Sequence, residues 1–167
     1  MDKMRFTILL IVACTATASA QLNVPGPEHA RLDAFAGKWT INGESEGEKY
    51  TLTETCEWFA GRFHIVCQRA GTGPVGSLAG HSIITWDPAA KAYALISINS
   101  NGVSVLAHAT PAGDTWTWNG TLLIGERSLK VRLTMIRQSP AAYTYSIDGS
   151  IDGAWVPLEN GRGAKVL

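Results

Sequence analysis

Histidines are the side chains of this chain that are best suited to catalysis or metal binding. They are His29, His64, His81 and His108, and no two of them are three or four residues apart. That spacing provides no local pair of metal ligands. Three of the four fall on predicted strands, where they could converge only through the fold. The sequence therefore assigns no catalytic residue, no metal ligand and no cofactor.

Two segments match known motifs in their letters but not in their context. Residues 43–47, GESEG, match the serine nucleophile elbow, which depends on a strand followed by a helix. Glutamates flank this serine and would oppose an oxyanion, and a strand pattern follows. Residues 71–76, GTGPVG, match the dinucleotide fingerprint, which needs a helix amino terminus to hold the pyrophosphate. Another strand pattern follows them, so both segments are interpreted as turns between strands.

The amino terminus is typical of a secretory signal peptide. Lys3 and Arg5 precede an apolar run over residues 6–13, and Ala18 and Ala20 frame a small-x-small cleavage site. The apolar run is far shorter than the ~20 residues that span a bilayer, and no later segment has the composition to do so. We therefore expect an exported protein, periplasmic or secreted, with no membrane span.

The signal peptide sets the expected domain boundaries. Residues 1–20 would be removed, and residues 21–167 would form a single domain that is long enough for one hydrophobic core. One alternative remains open at the cleavage site. Residues 11–14, IVAC, also resemble a lipobox, in which Cys14 carries a lipid anchor. Such an anchor would tether the protein to a membrane without changing its fold.

The charge balance argues against nucleic acid as a partner. The chain has 14 basic and 14 acidic side chains, and neither sign forms a run or a patch with interleaved aromatic residues. Proteins that bind nucleic acids or anionic membranes through electrostatics present a basic surface. The remaining candidate partners are small molecules and other proteins.

Two cysteines remain after the signal peptide, Cys56 and Cys67. They lie in one predicted hairpin, and a turn centred on Gly61 and Arg62 places them opposite each other at a spacing that a disulfide tolerates. Two cysteines in an exported chain favour a disulfide. Two buried free thiols are the alternative, because a slip of one residue in the strand pairing would separate the side chains.

From residue 37 onward the sequence is typical of short strands separated by turn residues. Before them, Pro27 and Gly37 bracket a short helix, with proline at its first position and glycine after its end. Apolar and polar residues alternate along many of the later segments. About nine or ten short strands joined by tight turns predict an all-β fold, an antiparallel up-and-down β-barrel with a short amino-terminal helix.

Residues 80–102 contain the clearest turn signals. Asp87-Pro88 and Asn101-Gly102 each separate two strand patterns, and Asn-Gly is a strong short-range indicator of a hairpin. If Asn101 and Gly102 are the two turn residues, His108 lies opposite Leu95 on the neighbouring strand.

Three segments together resemble a known family. Residues 32–39, LDAFAGKW, resemble the opening of lipocalin-like barrels, a short helix followed by Gly-x-Trp and the first strand. With residues 80–102 and residues 150–155, SIDGAW, the chain is similar to a secreted bacterial family known only as a domain of unknown function. The resemblance covers most of residues 30–165. It implies a lipocalin-like β-barrel with no established activity. Neighbouring nitrobindin-like barrels bind haem through a late histidine, but no histidine follows His108 here.

The aromatic content favours a binding protein. The chain has six tryptophans, and barrels of eight or more strands often hold a small ligand. We therefore expect a small, partly apolar ligand in the barrel interior, with His81, Tyr93, His108 and Trp118 as lining residues. Tryptophans that only fill the core are the alternative.

Two other functions remain open at this point. One is an enzyme, an isomerase or hydrolase, which needs a histidine next to a carboxylate inside the barrel. The other is a non-catalytic interaction module of the cell envelope, which needs a large exposed apolar patch.

Overall fold

The structure is a computed structural model that describes residues 24–73 and 76–166. Ten antiparallel strands form a closed barrel, in which each strand pairs with its neighbours along the chain and the first pairs with the last. This confirms the predicted all-β, up-and-down barrel. The predicted signal peptide and the lipobox alternative at Cys14 lie outside the described residues.

The strands are long enough to alternate several times between the interior and the outer face. Their bounds are β1 (Gly37–Ser45), β2 (Glu48–Trp58), β3 (His64–Gly73), β4 (Gly76–Asp87), β5 (Ala92–Asn99), β6 (Val103–Ala109), β7 (Thr115–Ile124), β8 (Arg127–Ser139), β9 (Ala142–Ile151) and β10 (Ala154–Lys165). Closure leaves no unpaired sheet edge, which removes the usual route to edge-to-edge aggregation.

A short helix covers one end of the barrel. It runs as α1 over Pro27–Ala30 and continues as a 3-10 turn over Arg31–Ala34. Leu32 is completely buried, and Phe35 packs edge-on against Trp116 with ring centres 4.8 Å apart. Packing of the buried Leu32 and the partly buried Phe35 stabilises the helix against the barrel, since four residues of α-helix are not stable alone. We call this the helix end, and the opposite end the far end.

Polar contacts also fix the helix to the strands. The Trp39 indole donates a hydrogen bond of 2.8 Å to the Phe35 carbonyl oxygen, and the Tyr93 hydroxyl donates one of 2.9 Å to the Glu28 carbonyl oxygen. Carbonyl groups at the end of a helix lack partners within it, and these side chains supply them. The helix end is therefore closed by both apolar packing and hydrogen bonds.

The disulfide prediction is confirmed. Cys56 on β2 lies directly opposite Cys67 on β3, and the two residues form a disulfide with their Cα atoms 4.0 Å apart. Both side chains face the interior and are buried. The bridge therefore closes the β2–β3 hairpin from inside the barrel.

The hairpin at Asn101-Gly102 forms, but the predicted pairing within it is wrong by one residue. Leu95 pairs with Ala107, and His108 pairs with Ala94. The reason is the length of the loop: three residues, 100–102, connect the strands, and Gly102 has a φ of +81°. Three-residue hairpins place a residue with positive φ at this position, whereas the prediction assumed a two-residue turn. A shift of one residue turns each side chain to the other face.

The described residues contain no helix that is both long and apolar enough to cross a membrane.

Candidate ligand-binding site

A cavity of about 480 Å³ occupies the barrel interior. Ala34 and Phe35 line it at the helix end, and the turn residues Glu46 and Asn101 line it at the far end. A ten-stranded barrel is wider than an eight-stranded one, whose interior is just filled by side chains. The interior therefore has space that its own side chains do not fill.

Much of the cavity wall is apolar. Inward-facing side chains from several strands contribute to it, among them Ile41, Leu52, Ile84, Val105, Leu133 and Met135. Trp118 is almost fully buried near the helix end and stacks on Trp116, with ring centres 5.8 Å apart. An apolar wall of this kind favours the hydrocarbon part of a ligand, because transfer of that part from water is favourable.

A second part of the wall is polar and centres on one ion pair. Glu54 on β2 and Arg69 on β3 lie opposite each other, with 3.1 Å between the guanidinium nitrogen and the carboxylate oxygen. Arg69 also contacts the buried Ser82 hydroxyl at 3.5 Å. The Cys56 and Cys67 sulfur atoms lie near Glu54, but in a disulfide they provide no thiolate for a metal. This polar group is therefore neutral overall and carries hydrogen-bonding atoms.

A third group lies closer to the far end. The hydroxyl groups of Tyr50 and Tyr145 contact each other, and both donate a hydrogen bond to the same carboxylate oxygen of Glu159; the bond from Tyr145 is 3.1 Å long. All three side chains line the cavity. We call them the tyrosine–glutamate cluster. The convergence of two phenols on one carboxylate gives the cavity a defined polar site.

Glycines and a bulge create the space for this cluster. Gly43 and Gly161 face each other on β1 and β10, and a Cβ atom on either would collide with a tyrosine ring of the cluster. A register shift in β10, between Pro157 and Glu159, lies immediately before the carboxylate. Bulges are common at barrel rims and next to binding sites, where they redirect a side chain.

The interior environment keeps these phenols protonated. Burial is the main cause that raises the pKa of Tyr50 and of Tyr145 above the usual value of 10, and the negative charge of Glu159 raises both further. Tyr143, on the same face of β9, also has a raised pKa, mainly because of burial and then because of Glu54. The tyrosines therefore act as neutral hydrogen-bond donors at physiological pH.

The structure distributes the four predicted lining residues over three places. Trp118 lines the cavity. Tyr93 is buried at the helix end, where its ring packs against Trp86 and Trp116 and its hydroxyl binds the helix. His81 and His108 lie on the outer face of the barrel, exposed to solvent. The residues are therefore not brought together around one ligand.

The strand histidines do not form an interior catalytic pair. His64 contacts the Thr85 hydroxyl at 2.7 Å outside the cavity, and His108 approaches the Asp87 carboxylate at 3.9 Å on the exposed surface. The enzyme alternative required such a pair inside the barrel, with the histidine and carboxylate excluded from bulk water. The geometry of the described residues provides no support for it.

Sequence analysis missed the charged residues of the interior. Glu54 shares a face of β2 with Tyr50, Leu52 and Cys56, and Arg69 shares a face of β3 with Cys67. The alternation around the two cysteines could have indicated both, because residues two apart on a strand point to the same side. Charged residues in such inward positions are unusual for a plain core, where Glu and Arg are almost never fully buried unless paired.

The outer face carries a row of apolar side chains. Val66, Ile83, Ile96 and Leu106 are consecutive cross-strand neighbours on β3 to β6. Ile83, Ile96 and Leu106 are between 40% and 52% exposed. An interaction module would need such side chains as part of a larger exposed apolar patch.

These observations define a closed ten-stranded β-barrel with a mixed apolar and polar interior cavity. The chain belongs to the family described as "Protein of unknown function (DUF1579)", whose model matches residues 24–157. The chain matches no curated protein in sequence.

Two solved structures are similar in fold. The crystal structure of Rv2717c from M. tuberculosis has a TM-score of 0.60 and 9% identity, over 87% of this chain and 100% of that one. At that identity the similarity concerns the fold alone. A de novo designed fluorescence-activating β-barrel has a TM-score of 0.46 and 15% identity, over 80% of this chain and 94% of the design.

Proposed function

We propose that this protein is exported and binds a small, partly apolar molecule inside its barrel. The cavity of about 480 Å³ is the observation that carries the proposal. Ligand pockets usually measure ~300–1,000 Å³ and combine an apolar wall with a few polar groups that orient the ligand. The apolar side chains around Trp118, together with the Glu54–Arg69 pair, match that description.

Export is part of the proposal and has two supports. Residues 1–20 have the pattern of a signal peptide. The Cys56–Cys67 disulfide is typical of oxidising compartments such as the periplasm. We also propose that residues 21–167 form a single domain; the continuous barrel from Gly37 to Lys165 supports this.

The interior is unusual for a region that serves stability alone. A largely desolvated ion pair such as Glu54–Arg69, with side chains 13% and 26% exposed, often contributes less than well-packed apolar residues of similar size, because desolvation opposes the attraction. An unfilled cavity also forgoes packing contacts. Both features are costs for the free protein, and both are useful for binding a ligand.

Native mass spectrometry of protein purified from its own cell envelope tests the proposal directly. We expect an added mass that disappears on denaturation. The variant Ala107→Leu should lose it, because Ala107 is buried in the cavity wall and a larger side chain there occupies ligand space. Ala70→Leu, on the exposed face of β3, is the matched control and should keep it. A folded protein that carries no small molecule and binds none of a panel of apolar probes would contradict the proposal.

The exposed row on β3 to β6 favours one second candidate, self-association through the outer face. Aliphatic side chains at 40–52% exposure would be buried against a second copy. Sedimentation velocity over a range of concentrations tests this, with Ile96→Glu as the variant expected to keep the protein monomeric. A concentration-independent monomer in the unmodified protein would contradict it.

A further inference from the structure

The far part of the cavity contains one carboxylate without a cationic partner. Glu159 lines the cavity and accepts hydrogen bonds from Tyr50 and Tyr145. Among the described residues, no lysine, arginine or histidine nitrogen lies within 4.0 Å of it. The two phenols supply hydrogen bonds but no positive charge. Hydrogen bonds from the protein therefore stabilise the Glu159 carboxylate, but no positive charge neutralises it.

The other interior charges do not compensate for Glu159. The guanidinium of Arg69 is 3.1 Å from the Glu54 carboxylate, so this pair is neutral overall. Among the described residues, the remaining charged side chain of the cavity wall is Glu46, in the turn between β1 and β2. The cavity therefore has an excess of negative charge, and that excess lies toward the far end.

The turns at the far end extend this negative field. Among the described turn residues there, Glu46, Glu126 and Asp152 are acidic, and Glu48 flanks them. The basic residues that flank these turns, Lys49 and Arg127, offset only part of that charge. Acidic groups around a low-dielectric opening concentrate field lines and attract cations. The far-end turns and the interior cavity thus favour the same sign of ligand charge.

We propose that the ligand of this cavity carries a protonated amine at its polar end, bound by the tyrosine–glutamate cluster, and an apolar body that lies along the wall toward Trp118. This inference rests on the proposed function and names the class of ligand for the same cavity. The ammonium group would donate to Oε2 of the Glu159 carboxylate, since both phenols donate to Oε1.

Other polar ends fit the cluster less well. A carboxylate ligand would be repelled by Glu159. It could reach the unpartnered Nε of Arg69 only beside the Glu54 carboxylate, which is paired with the same guanidinium and would repel it as well. A divalent cation such as Ca²⁺ requires six to eight oxygen ligands, and the cluster offers one carboxylate and two protonated phenols. A monovalent organic cation needs fewer partners and gains from the apolar wall as well.

Three probes of equal chain length test the charge preference: octylamine, 1-octanol and octanoate. Their affinities are measured by isothermal titration calorimetry at neutral pH and low ionic strength. A hydrogen bond to a charged group contributes roughly ten- to a hundredfold in affinity, so octylamine should bind at least tenfold more tightly than 1-octanol. Octanoate should bind more weakly than 1-octanol.

One substitution assigns the preference to the cluster. Glu159→Gln keeps the shape and an oxygen acceptor for the two phenols but removes the charge. It should bring octylamine to the affinity of 1-octanol and leave 1-octanol binding unchanged. Glu44→Gln, on the exposed face of β1, is the matched control and should leave all three affinities unchanged. In the unmodified protein, added salt should weaken octylamine binding and leave 1-octanol binding unaffected.

The outcomes separate the two proposals. If none of the probes binds to the folded protein, the proposed function fails and this inference fails with it. If 1-octanol binds as tightly as octylamine, or octanoate binds most tightly, the inference is overturned while a binding function stands. Persistence of the octylamine preference in folded Glu159→Gln would also overturn it. If Glu159→Gln does not fold, the effect of salt on octylamine binding to the unmodified protein is the deciding measurement. Octylamine binding that added salt does not weaken would overturn the inference.

Discussion

Gly43 and Gly161 lie directly opposite each other on β1 and β10, and the rings of Tyr50 and Tyr145 occupy the space that their missing side chains leave. A Cβ atom on Gly161 would lie 2.7 Å from a ring carbon of Tyr145. Glycine is required here for close approach and not for a special backbone angle. The two glycines therefore create the room in which the tyrosine–glutamate cluster forms.

The substitution Gly161→Ala should destabilise the barrel. The new methyl group collides with the Tyr145 ring and with the β1 backbone, and overpacking of this kind costs about 1–3 kcal/mol. Urea unfolding measures the loss. Gly73→Ala is the matched control, because a Cβ atom there meets its nearest neighbour at 3.6 Å. Equal stabilities for the two variants would show that the glycine pair has no role in packing.

Removal of the buried leucine of the helix should weaken the helix end. Leu32 is 0% exposed, and truncation of a buried leucine to alanine typically costs about 2–5 kcal/mol. We expect Leu32→Ala to lower the free energy of unfolding by an amount in that range. Leu106→Ala removes the same atoms from a side chain that is 52% exposed and should cost less than about 0.5 kcal/mol. A small effect at Leu32 would mean that the helix contributes little to closing the barrel.

Loss of the disulfide should destabilise the β2–β3 hairpin. Cys56 and Cys67 are 11 residues apart, and closing a loop of that size contributes about 3 kcal/mol in the chain-entropy model. The double variant Cys56→Ala/Cys67→Ala should therefore have a lower urea midpoint than the oxidised protein. Dithiothreitol should lower the midpoint of the unmodified protein and leave that of the double variant unchanged. If dithiothreitol lowered the urea midpoints of the unmodified protein and the double variant equally, loss of the Cys56–Cys67 bridge could not be the cause.

Local patterns were sufficient to predict the barrel and the disulfide. Alternation and turn residues determine each hairpin separately, and the turn at Gly61 and Arg62 sets the pairing of Cys56 with Cys67. Those relationships involve residues that are close in sequence. Successive hairpins of this kind, without long connections, lead to an up-and-down barrel.

The site depends on relationships that are not local. Tyr50 and Glu159 meet because β1 closes the barrel against β10, and the bulge after Pro157 resets the alternation just before the carboxylate. The closure register has no marker in the sequence. Pro157 marks the bulge, because proline within a sheet is confined to edges, strand starts and bulges. The misplacement of His108 has a local origin instead, since a loop of three residues in place of two reverses its direction.

The outward direction of the two strand histidines leads to a prediction about binding. His81→Ala and His108→Ala should leave the affinity for 1-octanol within about twofold of the unmodified value, because both residues are exposed and do not line the cavity. Ala107→Leu should reduce that affinity by much more. Titration calorimetry on the three variants checks this. A large loss with either histidine variant would place the ligand on the outer face instead.

The tyrosines predict how stability depends on alkaline pH. All four, Tyr50, Tyr93, Tyr143 and Tyr145, have pKa values raised above the usual 10, mainly because burial disfavours the phenolate. In the unfolded chain they ionise near pH 10. Above that pH the unfolded state therefore binds fewer protons than the folded state, and stability decreases as pH rises. Below about pH 9 these groups should contribute no pH dependence.

Two measurements check the alkaline prediction. The urea midpoint should fall between about pH 9.5 and 11, and it should fall less steeply in Tyr145→Phe, which removes one buried phenol from the titration. Absorbance of tyrosinate should remain low in the folded protein until well above pH 10 and rise abruptly on unfolding. Tyrosinate that forms near pH 10 without unfolding would show that these phenols are accessible to water. The tyrosine–glutamate cluster would then lack the dry surroundings that keep its hydroxyl groups as donors to Glu159.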